Sequence, residues 1–245
     1  MDKKLIEQFK NREIKAKNIF TIKEIDKKTA YEFVRKYHYL GQAKFFSKFA
    51  FGLFNDGELV GVSTFANPQG RYTLKGWFGF DNKCQSILEL SRLCLHPSLN
   101  NTNATSYLLS NSMKMLKVYG IRAVITLADS TLHVGSIYQV CNFKYYGLTA
   151  IKKEFVGLDG KINARILQTG TSGVWIPKSR KHRYCYLLDK SLVVNYKEEP
   201  YPKKGELLKL DCCGGTHRVF DTRFKKWYSC PRCCGELVEI KDYGE

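Results

Sequence analysis

No stretch of this 245-residue chain approaches the roughly 18 consecutive apolar residues that a membrane-spanning helix requires. The opening MDKKLIEQFKNREIKAK mixes charges and has no apolar core of the kind a secretory signal carries, so export is not expected. Internal repeats and low-complexity tracts are also missing, which leaves one large domain, or one core domain with appendages. Acidic side chains are scarce, with 23 Asp plus Glu against 40 Lys plus Arg and a formal charge of +17. That imbalance favours polyanionic partners, nucleic acid first and an anionic membrane surface second. A cytoplasmic location follows as an expectation. In a reducing compartment, clustered cysteines point to metal rather than disulfides.

What is present suffices for a sizeable core, at 44% hydrophobic and 13% aromatic residues. Residues 1–17 read as a polar leading helix or arm. NIFTIKEI (18–25) has strand character, and Asp26 is placed to cap a helix KKTAYEFVRKYH with Tyr31, Phe33 or Val34 and Tyr37 turned inward. Two apolar runs flank Asn55-Asp56-Gly57-Glu58, a hairpin signal. Residues 67–85 read as loop. SILELSRLCLHP (86–97) is a strand, SYLLSNSMKMLKVYG a helix stopped at Gly120, and RAVITLAD (122–129) a buried strand. TLHVGSIYQVCNF (131–143) reads as a helix and YYGLTAIKKEFVG as one following strand. KEFVGLD-GK-INARIL has a turn at Gly160, and RYCYLLDK closes the core. Strands alternating with single helices imply an α/β core of three layers around a mixed sheet, over residues 18–189. Residues 190–209, with KEEPYPKKGE, have linker composition, and residues 210–245 form a separate small module.

That module holds CCGGTHRVFDTRFKKWYSCPRCC. Cys230-Pro231-Arg232-Cys233 is a CxxC knuckle, whose two-residue spacer lets both sulfurs reach one ion. Cys212 or Cys213 with His217 is the available upstream pair, and Cys213, His217, Cys230 and Cys233 are the candidate ligands of a structural Zn²⁺ ion. HRVFDTRFKKWYS between them alternates like a short hairpin. A ribbon this small depends on the metal for its folding. Its Lys226 and Trp227, with neighbouring basic and aromatic residues, make a surface that suits phosphates and stacked bases.

The core has polar residues where chemistry is expected. HYLG (38–41) ends the first helix, Glu89, Ser91 and Arg92 lie on the ELSRL strand, and Asp129-Ser130 follows the carboxyl end of a buried strand. In open α/β sheets, ligands gather at such ends. His133, Ser136, Tyr138 and Asn142 come next. Each also has a purely structural reading, such as a helix cap for Asp129 or a core aromatic for Tyr138. No Ser-His-Asp spacing is present.

KYHYLG (36–41), FGLFNDGELVGVSTFANP (51–68), ELSRL (89–93), ADS (128–130), GSIYQVCNFKYYG (135–147) and KSRKHRYCYLL (178–188) together resemble the Mom family of phage DNA-modification proteins. The resemblance implies a fold similar to the GNAT N-acetyltransferases. It also implies transfer of a carbamoylmethyl-type group to the exocyclic amine of adenine in double-stranded DNA, which hides restriction sites. By matching motifs, the functional positions it implies are His38, Tyr39, Arg92, Asp129 and Tyr138, with Ser106 in the segment after ELSRL. On this reading Asp129 is the base or orients the amine, Tyr138 protonates the leaving group or fixes the donor, and His38 is a base or the ligand of a catalytic metal. An acetyl-CoA-like thioester is the implied donor, but the glycine-rich pyrophosphate turn of such enzymes is missing from LCLHPSLNNTNATSYLL. Asn103, Thr105 and Ser106 are the available donors there. Flipping the target base is expected. Tyr37, Tyr39, Phe45, Phe46, Trp77 and Phe78 are candidates for a stacking wall, and Lys44, Lys48, Lys178, Arg180, Lys181 and Arg183 for phosphate contacts. Two other classes fit the same composition: an acyltransferase of this fold acting on protein or a small molecule, and a non-enzymatic zinc-containing DNA-binding protein.

Overall fold

The computed structural model describes residues 3–12, 14–38, 45–70, 73–81, 84–100, 102–130, 132–150, 152–157, 173–203, 218–221, 226–229 and 239–240. The chain divides into two compact units. The first comprises Met1–Leu127, Gly135–Gly147 and Arg183–Tyr201, and the second Ala128–Val134, Leu148–His182 and Pro202–Glu245.

The elements in chain order are α1 (Lys3–Lys10), β1 (Thr21–Glu24), α2 (Lys27–Tyr37), β2 (Phe49–Asn55), β3 (Glu58–Ala66), α3 (Thr73–Phe78), β4 (Ile87–Leu95), α4 (Ala104–Val118), β5 (Ala123–Asp129), α5 (Ser136–Val140), β6 (Lys144–Leu148), β7 (Lys152–Gly157), β8 (Gly173–Lys178), β9 (Lys181–Leu187), β10 (Arg218–Asp221), β11 (Lys226–Ser229) and β12 (Glu239–Ile240). Asp26 caps α2 by accepting from the Thr29 amide at 2.9 Å. The β2–β3 turn puts Asp56 at φ 48° and Gly57 at φ 78°, the left-handed pair that a two-residue hairpin needs.

A seven-stranded sheet runs in the order β1-β2-β3-β4-β5-β9-β6. β1 to β4 pair antiparallel. β5 joins β4 in parallel, but only over Ile87–Glu89 against Ala123–Ile125. The ladder between them ends at Glu89.

Within the first unit one sheet face packs under α2, with Ala30, Phe33 and Val34 against Ala50, Val62 and Cys94. On the other face, α1 and α4 close over Leu53, Val60 and Phe20, and Ser63 and Ser112 share a buried hydrogen bond of 2.8 Å. α3 covers the far strands, where Leu74, Trp77 and Phe78 meet Ile87, Ile125, Tyr146 and Cys185. This is the expected three-layer arrangement of a mixed sheet between helices.

Three local expectations need correction. Residues 67–85 contain α3, because Leu74, Trp77 and Phe78 are spaced to bury one helical face. The helix expected over 131–143 shrinks to α5, since Gly135 at φ 76° and Asn142 at φ 62° interrupt it. The single strand expected after it is two, β6 and β7, broken past Gly147 at φ 72°.

The linker-like segment from Lys190 lies against the first unit. Leu192 is buried, the Asn195 amide bonds to the Trp77 carbonyl at 2.8 Å, and the Glu199 amide to the Tyr145 carbonyl at 2.9 Å. Tyr201 donates to the Phe143 carbonyl at 2.9 Å.

In the second unit β7 and β8 form a hairpin pairing Lys152 with Lys178, and β10, β11 and β12 form a three-stranded antiparallel sheet. The expected alternating hairpin is β10–β11. The candidate zinc ligands Cys213, His217, Cys230 and Cys233, like Tyr39 and Lys44, lie outside the described residues. So does the expected turn at Gly160.

Candidate functional site

β4 carries the first cluster, and a one-residue irregularity makes it possible. Phe65 pairs with Leu90 and Thr64 with Arg92, which leaves Ser91 as an extra residue in β4. Such a bulge shifts the alternation of side chains. Glu89 pairs with Ala66, Arg92 with Thr64 and Cys94 with Val62, so Glu89, Arg92 and Cys94 face the α2 side although Glu89 and Arg92 are three residues apart. Without the bulge they would point to opposite faces.

A cavity of about 270 Å³ opens there, lined by Phe45, Phe46, Gln69, Glu89, Ser91 and Arg92. The Arg92 guanidinium stacks 5.2 Å from the Phe45 ring centroid, and Phe45 stacks on Tyr31 at 5.6 Å. Phe46 is 71% exposed, a large apolar ring held in solvent at the cavity's edge. Arg92 gives one N–H to the Ser91 carbonyl at 2.6 Å. Its Nε and the Thr64 hydroxyl are buried without a hydrogen-bond partner among the described residues. Glu89 accepts from the Gln69 amide at 2.9 Å. Burial raises its pKa against the opposing pull of that bond and of Arg92. His38, at the C-terminus of α2, is held down to about 4, by burial first and the Arg92 charge second. It is therefore a neutral imidazole near neutrality.

That shift has a thermodynamic sign. Between pH 6.5 and about 4 the unfolded chain binds a proton at His38 that the folded chain refuses, so folding stability falls as pH drops through this window. Denaturant titrations at pH 7 and 4.5 should show a smaller acid-induced loss in His38→Gln than in the parent. An equal loss would mean that His38 is not the group responsible.

A second cluster lies in the second unit. The Ser130 amide bonds to the Arg180 carbonyl at 3.1 Å, and the Leu188 amide to the Arg122 carbonyl at 2.9 Å, so β5 and β9 run antiparallel with Asp129 opposite Lys181. The Asp129 carboxylate forms an ion pair with Lys181 and accepts from the Ser179 hydroxyl at 2.9 Å. Lys181 also donates to Ser179 at 3.1 Å. Burial is the main cause lowering the pKa values of the neighbouring His133 and His182. The helix-cap alternative for Asp129 finds support in its carbonyl, which accepts from the Leu132 and His133 amides.

The other expected residues fall in known places. Tyr138 sits on α5 with its ring 5.7 Å from Phe143 and 5.4 Å from Tyr184. Asn103 precedes α4 and makes no side-chain cap, and the first turn of α4 has no acidic residue. Thr105 and Ser106 occupy that turn, and Ser106 donates to the Asn103 carbonyl at 2.8 Å. The expected phosphate contacts have partners of their own: Lys48 bonds Gln85 at 3.0 Å, Arg180 the Thr149 carbonyl at 2.7 Å, and Arg183 lies 3.9 Å over the Tyr196 ring. Lys178 ends β8, and Lys226 and Trp227 open β11.

The structure thus brings His38 near the charge of Arg92, gathers Arg92, Phe45 and Phe46 around the cavity, and adds Glu89 and Gln69 to its lining. Glu89 stands in the sequence among the polar residues of the ELSRL strand, without a role assigned to it. Nothing in the sequence singles out Gln69. Among the described residues no cluster of His, Cys, Asp and Glu could hold a metal ion, and no helix is long and apolar enough to cross a membrane.

The model of the Mom protein family matches residues 19–203. Comparison with curated proteins finds no match. Solved structures that share some of the layout include an IAA acetyltransferase from Bacillus cereus, 12% identical, covering 69% of this chain and 99% of that one at a TM-score of 0.43. Another is the ribosomal-protein-S18-alanine N-acetyltransferase from Escherichia coli, at 10% identity, 70% and 95% coverage and TM-score 0.44. A third is a GNAT family acetyltransferase from Elizabethkingia anophelis with acetyl-CoA bound, at 13%, 70% and 99%, and 0.42.

Proposed function

The chain belongs to the Mom protein family, and on that premise we propose that it is a transferase which places a small acyl or carbamoylmethyl-type group on the exocyclic amine of adenine in DNA. The observation that carries this reading is the α2-side cavity, which combines aromatic rings, a guanidinium with an unused buried N–H and a carboxyl of raised pKa. A nucleobase needs a stacking face and polar groups at its edge. Phe45 and Phe46 supply the face. Glu89 and Arg92 supply the edge.

The adenine amine is a poor nucleophile because its lone pair is delocalised into the ring. It must be oriented and lose a proton as it attacks. Glu89, whose pKa is raised by burial, is suited to accept that proton near neutrality. Neutral His38 beside Arg92 is a second acceptor. Asp129 orients the amine or takes its proton, and Tyr138 fixes the donor or protonates the leaving group, as the family resemblance implies. His38 is otherwise the ligand of a catalytic metal, and Tyr39 belongs to the stacking wall.

A thioester such as acetyl-CoA supplies an activated acyl carbon when bound. The residues fit an anionic donor of that type: the first turn of α4 has no acidic side chain, and its N-terminal dipole favours phosphate. Asn103, Thr105 and Ser106 would hold it there. In the C-terminal module the β10–β11 hairpin pairs Arg218 with Ser229, the chain neighbours of His217 and Cys230. This supports one Zn²⁺ ion held by Cys213, His217, Cys230 and Cys233.

Nucleoside mass spectrometry of plasmid DNA from expressing cells tests the function. A mass-shifted deoxyadenosine is expected, and unmodified nucleosides would leave only a DNA-binding protein or an acyltransferase with another substrate. Phe45→Ala should weaken binding of a duplex carrying an unpaired adenine by about 5- to 150-fold, from the ~1–3 kcal/mol of one stacked base. Unchanged binding in a fluorescence anisotropy titration would remove Phe45 from the base site.

A further inference from the structure

Lys181 belongs to a basic run, KSRKHR, whose composition suggests DNA phosphates as its partners. Its observed partners are different. Asp129 and Lys181 stand opposite each other across the β5–β9 pairing, and their side chains form an ion pair with the carboxylate 19% and the lysine 29% exposed. Ser179 lies two residues before Lys181, the first residue of β9, and the two side chains bond each other at 3.1 Å. Both donate to the same oxygen, Asp129 Oδ2. Arg180, between them, turns away to the Thr149 carbonyl. Three mutually bonded groups, Asp129 to Ser179, Ser179 to Lys181 and Lys181 to Asp129, leave the carboxylate little rotational freedom.

We propose that Lys181, with Ser179, is a positioning residue that clamps Asp129 by one oxygen, rather than a DNA phosphate contact. This rests on the reading that Asp129 serves the transfer reaction. A carboxylate that must meet one amine in one geometry gains from such a clamp, because misplacement by about 1 Å can cost on the order of 10²-fold in rate. Residues that hold a reacting group are effective only when their own conformations are locked. Here the lock is the hydrogen-bonded pairing of β5 with β9.

The test uses the full chain and four variants: Lys181→Met, Lys181→Arg, Asp129→Asn and the double variant Asp129→Asn/Lys181→Met. Three quantities are measured: the modified fraction of adenine in plasmid DNA, duplex affinity over a salt series, and Tm. The clamp predicts that Lys181→Met lowers modification by about 10- to 100-fold while duplex affinity and its salt slope stay at parental values. Lys181→Arg should recover most of the activity. If Lys181→Met instead weakens duplex binding and reduces the salt slope by about one unit, Lys181 is a phosphate contact and the proposal is overturned. Unchanged modification in Lys181→Met also overturns it. A parent chain that leaves DNA unmodified overturns the functional reading and, with it, the catalytic purpose of the clamp. The Tm cycle still judges the clamp itself: a double variant melting no lower than either single variant supports it, and additive losses refute it.

Discussion

Replacing Arg92 with methionine is expected to lower adenine modification by about 10²–10³-fold, the usual loss when one preorganised donor is removed from a reacting site. Three features converge on this side chain. Its guanidinium covers the Phe45 ring, its charge helps to keep His38 neutral, and its Nε is buried at the cavity without a partner among the described residues. Methionine keeps much of the apolar stem and removes every donor. Glu89 already has a raised pKa through burial and stays bonded to the Gln69 amide, so loss of the neighbouring cation should not unfold the strand. Arg92→Lys separates charge from shape. A lysine retains the positive charge but lacks the planar fork, and an intermediate loss is expected. Modified nucleoside measured against total deoxyadenosine gives the readout, with Tm as the folding control. A methionine variant that modifies DNA within about threefold of the parent would take Arg92 out of the reaction.

The second large effect is on stability. Gly135→Ala is expected to cost about 2–5 kcal/mol. Gly135 has φ 76°, a left-handed backbone that costs other residues roughly 1–2 kcal/mol. A Cβ there would lie 2.7 Å from a Tyr184 ring carbon and 2.9 Å from a Tyr138 ring carbon, and such overpacking adds typically ~1–3 kcal/mol. Tyr184 cannot give way easily. It is fully buried, packs on Tyr138 and Tyr145 and accepts from Gln139 at 3.1 Å. For a chain of this length the loss corresponds to a Tm lower by about 5–15 °C. Thermal denaturation followed by circular dichroism checks it, and a variant melting within about 2 °C of the parent would refute the strain assigned to this position. Because Gly135 begins the helix that carries Tyr138, reduced modification should accompany the loss of stability.

Much of the fold is legible in the sequence where its cause is local. The Asp26 cap, the Asp56-Gly57 turn, the β4 and β5 runs and the α4 helix each announce themselves within a dozen residues. Two of the misread places share one cause, glycine or asparagine at positive φ. Gly135, Asn142 and Gly147 cut patterns that periodicity alone would continue. α3 was hidden because a helix of six residues offers too few turns for a period to emerge from a stretch rich in glycine and aromatics. Residues 190–203 read as linker from their charge and proline, yet Leu192 and Tyr196 anchor them by burial against Trp77 and its neighbours.

The site was legible as a parts inventory and not as an assembly. His38, Arg92, Phe45 and Phe46 could be named from motif and composition. Glu89 could not be placed beside Arg92 on one face, because strict alternation puts them apart. Charge alone marks Lys181 as a phosphate contact, whereas its pairing with Asp129 depends on the register of two residues 52 apart in the chain. Gln69 enters through a backbone amide, a contribution that no side-chain pattern can reveal.

The extra residue at Ser91 gives β4 two reading frames. Before it, odd-numbered positions face the layer of α2 and α3, and after it even-numbered ones do. The tolerance of this strand to substitution should therefore change phase midway, with sensitive positions at 89, 92 and 94 instead of a regular every-other-residue rhythm. Removing one residue there would restore perfect alternation and turn one half of the site into the opposite layer, so in this strand regularity itself would be the lesion.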